Sequence, residues 1–168
     1  MPPEAGPAPV RETPRPQPEV AAGPSGKAVI VDPAPEAAPP RNLAAILAEL
    51  GSRLQDAFFA YDRFDLTNEA LTALQQNARL LAPILSGFPS VKVTVEGHCD
   101  ERGSAEYNLA LGDRRARRAA EQLRDSGVPE ASLHIVSYGR EKPQCEEPSE
   151  SCWQRNRRAH LVVREGRE

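Results

Sequence analysis

Apolar residues fall into short periodic blocks from Leu43 onward and into none before it. From Leu43 they recur at helical spacing through Ile46, Leu47 and Leu50, and Gly51 or a neighbour ends or bends the run, which predicts a short helix or turn. Phe58, Phe59 and Tyr61 then form a β-favouring cluster that predicts a first strand. Leu71, Leu74, Ala78, Leu81 and Leu85 share one face of a following helix, with Thr67 or Asn68 as its cap and Pro83 expected to kink or stop it.

Val91, Val93 and Val95 alternate with Lys92, Thr94 and Glu96, the period of a half-buried strand. Ser104 can cap a long helix whose expected buried stripe is Leu109, Ala116, Ala120 and Leu123, and Gly127 supplies its stop. Two further apolar runs, 133–139 and 159–163, predict a third and a fourth strand. Two strand–helix units feeding one sheet give an α/β sandwich: a mixed four-stranded sheet with both long helices packed on one face.

Twelve of the 17 prolines lie within residues 1–41, a stretch rich in Ala, Gly and Glu and without an aromatic residue. Such a segment buries too little apolar surface to offset its ordering entropy and is expected to be a disordered tether, with the folded domain at 42–168. A length of 168 residues excludes two large domains. The net charge of -3 supplies no broad basic field, so nucleic acid is not an expected partner. No apolar run approaches the roughly 18 residues needed to span a bilayer.

Three cysteines are too few for a disulfide scaffold. Cys145 and Cys152 bracket a short polar stretch and can close into a small ring in an oxidising compartment, or stay as thiols in a reducing one. Cys99, between His98 and Asp100, fits a buried free thiol.

The chemistry concentrates in residues 97–103, Gly-His-Cys-Asp-Glu-Arg-Gly, where a strand passes into a loop before a helix. Asp100, Glu101 and Arg102 are presented there beside free backbone N–H groups, with Gly97 and Gly103 allowing close backbone approach. In the next helix Asp113 and Arg117 are spaced for an ordinary surface pair. Arg115, four residues after Leu111 and seven after Asn108, lies instead on the stripe leading back to the loop and can face Asp100.

These blocks, 93–123 with their Gly-His-Cys-Asp core, Val-Ser-Tyr-Gly at 136–139 and Asn-Arg-Arg-Ala-His at 156–160, resemble the OmpA-like domain family, specifically its peptidoglycan-associated lipoprotein branch. The resemblance runs from about Asn42 to Val163 and implies a βαβαββ-type fold. It further implies non-covalent binding of peptidoglycan through the diaminopimelate of a stem peptide, gripped by Asp100 and Arg115. Phe64 and Asp62 are then placed at the pocket edge, and Asn156 with Arg157 or Arg158 on the opposite side. The pairing suits the ligand, since the free end of diaminopimelate sets an ammonium for the Asp beside a carboxylate for the Arg fork.

The resemblance also implies docking to a TolB-type propeller of the Tol-Pal system, a periplasmic location, and anchoring to the outer membrane through a lipidated cysteine. Neither a secretory signal nor that cysteine is among these 168 residues. No catalytic residue, metal or cofactor is expected. An enzyme would have to use His98, Cys99 and Asp100 as a nucleophile or metal cluster, but further ligands at suitable spacing are missing and His134 and His160 fall on predicted strands.

Overall fold

The computed structural model describes residues 42–166; the Pro-rich segment expected to be a tether lies outside them. The elements run α1 Leu43–Arg53, β1 Ala57–Phe58, α2 Asn68–Gly87, β2 Val91–His98, α3 Ala105–Asp125, β3 Leu133–Gly139, α4 Glu150–Asn156 and β4 Arg158–Glu165, with one turn of 3-10 helix before β3. The sheet order is β1-β4-β2-β3, with β2 and β3 parallel and β4 antiparallel to both β1 and β2. This is the mixed four-stranded α/β sandwich that the hydrophobic pattern implies.

Val91, Val93 and Val95 of β2 and Ala159 and Leu161 of β4 meet α1, α2 and α3 in one apolar core. The alternation seen in the sequence is thus the alternation of core side and opposite side. Both long helices begin as their caps require: Thr67 accepts a hydrogen bond from Ala70 N and Ser104 from Tyr107 N. At the end of α3, Gly127 with φ +106° lets its own N–H reach Arg124 O while Val128 N reaches Leu123 O, closing the helix in a Schellman motif.

Three local expectations are corrected, and one helix stands where none was expected. Of the two outcomes expected at Pro83, the stop does not occur: α2 runs on to Gly87, because a proline one turn from the end removes a single N–H bond while Leu81 and Leu85 on either side stay buried in the core. Leu109 is half-exposed, and the stripe of α3 starts instead at Asn108, Leu111 and Gly112, the phase that points at β2. β1 is two residues long because the chain turns at Tyr61 and Asp62, the latter with φ +56°, directly after Phe59 N bonds Arg157 O. The stretch 150–156 forms α4, capped by Ser149 through Cys152 N, a Ser-Glu start that a polar loop composition conceals.

Candidate functional site

Asp100 sits just past the carboxyl end of β2, where Cys99 N still bonds Gly139 O of β3. Arg115 projects from α3. Their proximity depends on a contact between elements without side chains: an added Cβ on Gly97 would stand 1.7 Å from Gly112 O, so α3 lies directly on the backbone of β2. Arg115, three residues beyond Gly112, is then carried under the end of the strand.

Both side chains line one narrow cavity of about 60 Å³, together with Tyr61, Asp62, Arg102 and Tyr107 among others. Arg115 is 1% exposed. It donates from Nε to Arg63 O (2.8 Å), from Nη1 to His98 O (3.1 Å) and from Nη2 to Ala60 O (3.1 Å), so it holds the turn after β1 against the end of β2. Burial lowers its pKa, but the guanidinium stays charged at neutral pH. It makes no hydrogen bond to Asp100.

The Asp100 carboxylate is held by two other arginines. Arg102 forks onto it, Nε to Oδ1 at 3.2 Å and Nη2 to Oδ2 at 2.7 Å, and its backbone N–H adds a third bond at 3.0 Å. Arg157 Nη1 reaches Oδ2 at 3.4 Å while its Nε donates to Phe59 O and its Nη2 to Glu150. Burial pushes the Asp100 pKa up, but the Arg102 bonds and charge and the Arg157 bond outweigh it, leaving it below the ordinary carboxylate value. The acid is therefore ionised at neutral pH.

Of the two adjacent arginines, Arg157 faces the cavity side and Arg158 does not. Arg158 lies across the sheet, its Nε 3.6 Å from Asp56 Oδ2. Asn156 is buried away from the cavity, where its amide clasps Gln144 N, Cys145 N and Cys145 O. Cys145 and Cys152 are joined as a disulfide with a Cα–Cα distance of 5.3 Å, which ties the loop to α4. Asp62 lines the cavity and accepts from the Tyr107 hydroxyl, whereas Phe64 lines a neighbouring groove, with Arg114 over its ring.

Three residues of this region carried no separate weight in the sequence: Tyr61, Tyr107 and Trp153. Arg102 lies between the Tyr61 ring at 4.1 Å and the Trp153 ring at 4.0 Å, and the indole N–H donates to Glu101 Oε1 at 3.0 Å. Trp153 is the only tryptophan in the chain, and that alone was a signal. The His98–Cys99–Asp100 run does not act as a unit. His98 Nε2 pairs with Glu96, and Cys99 Sγ donates to Asn108 O with its pKa pushed up to about 11 by burial. Among the described residues no group of three His, Cys, Asp or Glu side chains is arranged to hold a metal ion.

A model of the OmpA family matches residues 58–157, more than half of the chain. The peptidoglycan-associated lipoprotein of Agrobacterium fabrum is 44% identical over 106 residues, covering 63% of this chain and 58% of that protein. That of Haemophilus influenzae is 41% identical over 116 residues, covering 69% of this chain and 73% of the relative. The chain thus spans less than two thirds of the Agrobacterium protein's length. Among solved structures, the peptidoglycan-associated lipoprotein from Burkholderia pseudomallei superposes with a TM-score of 0.59 at 36% identity, over 66% of this chain and 90% of that one. On the extent of these matches and the fold they share, the chain belongs to the OmpA family and is related to its peptidoglycan-associated lipoproteins.

Proposed function

We propose that this domain binds peptidoglycan non-covalently through the diaminopimelate of a stem peptide, and so ties an outer membrane to the cell wall in the manner of a Tol-Pal lipoprotein. One observation carries the reading: an anion and a cation from two different elements, Asp100 and Arg115, line a single small cavity. Asp100 takes the ligand's ammonium. Arg115 spends one N–H each of Nε, Nη1 and Nη2 on backbone carbonyls, so one N–H on each terminal nitrogen is left for the ligand's carboxylate. Charge-assisted bonds contribute roughly 1.5–3 kcal/mol each before ordering and desolvation reduce the total, which puts a single stem in the micromolar range. Many stems along one wall then raise the effective affinity.

The test is sedimentation with purified sacculi, using free diaminopimelate as competitor. Wild type should pellet and be released by the competitor, and Asp100→Asn should remain in solution; an Asn variant that pellets as well as wild type removes Asp100 from the contact.

A second reading is supported by the rim of the cavity. Tyr61 and Tyr107 of the cavity wall are each more than half exposed, and Phe64 lines the groove that shares Tyr61 and Asp62 with it, apolar surface that suits a protein partner of the TolB-propeller type. A partner seated on this rim covers the cavity mouth, so wall and protein exclude each other. Against a thiol enzyme, Cys99, the one thiol lining the cavity, is protonated at neutral pH and spends its Sγ–H on the backbone carbonyl of Asn108.

A further inference from the structure

Both oxygens of Asp100 are already taken. The carboxylate is 5% exposed and carries the Arg102 fork across both oxygens, with Arg157 sharing Oδ2. A ligand ammonium can reach it only by displacing one of these cations. Arg157 is 5% exposed and tied to Phe59 O and Glu150, whereas the Arg102 side chain is 31% exposed. The Arg102 backbone is pinned independently, its N–H on Asp100 and its carbonyl accepting from Asn108 Nδ2 at 2.9 Å, so its side chain can swing outward without moving the loop.

The energetics of the exchange depend on what the ligand brings. An ammonium alone replaces a forked guanidinium by a point charge and also strips Arg102 from the two rings that sandwich it. That exchange loses directed bonds and offers the displaced guanidinium nothing. A ligand with a carboxylate on the same carbon as its ammonium supplies the guanidinium with a new fork partner, and the number of charge-assisted pairs is kept.

We propose that Arg102 is the specificity-determining residue of this site: it occupies Asp100 as a resident counter-ion, which a ligand carrying ammonium and carboxylate on one carbon displaces and re-engages and a ligand carrying a bare ammonium does not. This rests on the wall-binding reading. It turns the site from a general receptor for amines into one for the zwitterionic end of diaminopimelate, and it sets lysine-containing stems apart from diaminopimelate-containing ones.

The experiment is calorimetric titration of wild type, Arg102→Ala and Arg102→Gln with two stem tripeptides, identical except that the third residue is diaminopimelate or Lys. Trp153 emission is followed in parallel, because Arg102 leaves the indole when it leaves Asp100. Wild type should favour the diaminopimelate peptide and shift its emission on saturation. Both variants should narrow the preference about tenfold, chiefly by tighter binding of the Lys peptide, since the cost of evicting the resident cation is gone. Arg102→Gln keeps the aliphatic stem and a neutral amide but removes the charge and the fork, so agreement between two variants of different size ties the change to the lost cation.

An unchanged preference in both variants, an equal weakening of both peptides, or an emission that stays still at saturation overturns the proposal. The wall-binding reading fails separately: if neither wild type nor Arg102→Ala takes either peptide, that reading falls and the displacement with it. If wild type binds and Asp100→Asn does not, the wall reading stands whatever Arg102 does.

Discussion

The carbonyl oxygen of Gly112 in α3 occupies the place where a Cβ on Gly97 of β2 would be, 1.7 Å from it, so the two elements touch backbone to backbone. The obstacle is main chain, which cannot rotate aside. Gly97→Ala is therefore expected to cost more than about 3 kcal/mol, at or beyond the upper end of ordinary overpacking. Urea unfolding checks it, and a variant within about 1 kcal/mol of wild type would mean that α3 is free to lift from the strand.

Arg115 is part of the fold as well as the cavity. Replacing it by Met leaves the carbonyls of Ala60, Arg63 and His98 without their donor in a buried place. A loss of about 3 kcal/mol or more is expected, with loss of wall binding. Asp100→Asn should cost much less, because the amide oxygen still accepts from Arg102. Thermal melts of the two variants measure the contrast; equal melting temperatures would show that the three donations are not made in solution.

Two histidines on the sheet face away from the helices lean in opposite directions with pH. The hydrogen bond to Asp56 raises the His160 pKa, with Glu96 adding to it and burial and Arg158 opposing. Burial lowers that of His98, helped by Arg158 and His160 and opposed by Glu96. His160 thus adds stability that is full below the unfolded value near 6.5 and lost as pH rises through its higher folded value. His98 adds stability that is full above 6.5 and lost as pH falls through its lower folded value. His160→Gln should therefore lower the melting temperature more at about pH 5.5 than at about pH 8.5. A difference independent of pH would show that His160 does not bond Asp56 in the folded protein.

The bond between Cys145 and Cys152 closes a ring of sequence separation 7. Loop-closure entropy for so short a ring gives about 2–3 kcal/mol, and the Asn156 clasp on Gln144 and Cys145 persists without it. The Cys145→Ser, Cys152→Ser double variant should lose no more than that, and reductant should bring wild type to the same unfolding midpoint. A midpoint insensitive to reductant would show that the ring contributes no stability.

Local structure was legible wherever it depends on near neighbours. The valine alternation of β2, the hydroxyl caps Thr67 and Ser104 and the stop at Gly127 act within a few residues, and each stands where its spacing implies. The Asp113–Arg117 pair, an i,i+4 neighbour, forms at 2.8 Å. Pro83 and Leu109 misled because their fate is set from outside: burial against the sheet carries the helix through the proline, and the phase of the Gly112 contact turns Leu109 outward.

The sequence by itself determined that an acid ends the central strand, that an arginine follows on the helix stripe aimed back at it, and which family these blocks belong to. Only the tertiary structure decided which groups share the cavity. Pairing of Phe58 with Arg158 and Ala57 with Ala159 fixes the parity of β4 and turns Arg158 toward Asp56, while Arg157, one residue earlier, falls on the Asp100 side. Parity is a property of register between strands a hundred residues apart, and adjacent arginines of identical chemistry carry no trace of it. For the same reason the occupation of Asp100 by Arg102, between a tyrosine 41 positions before it and a tryptophan 51 after it, arises only once the chain has closed on itself.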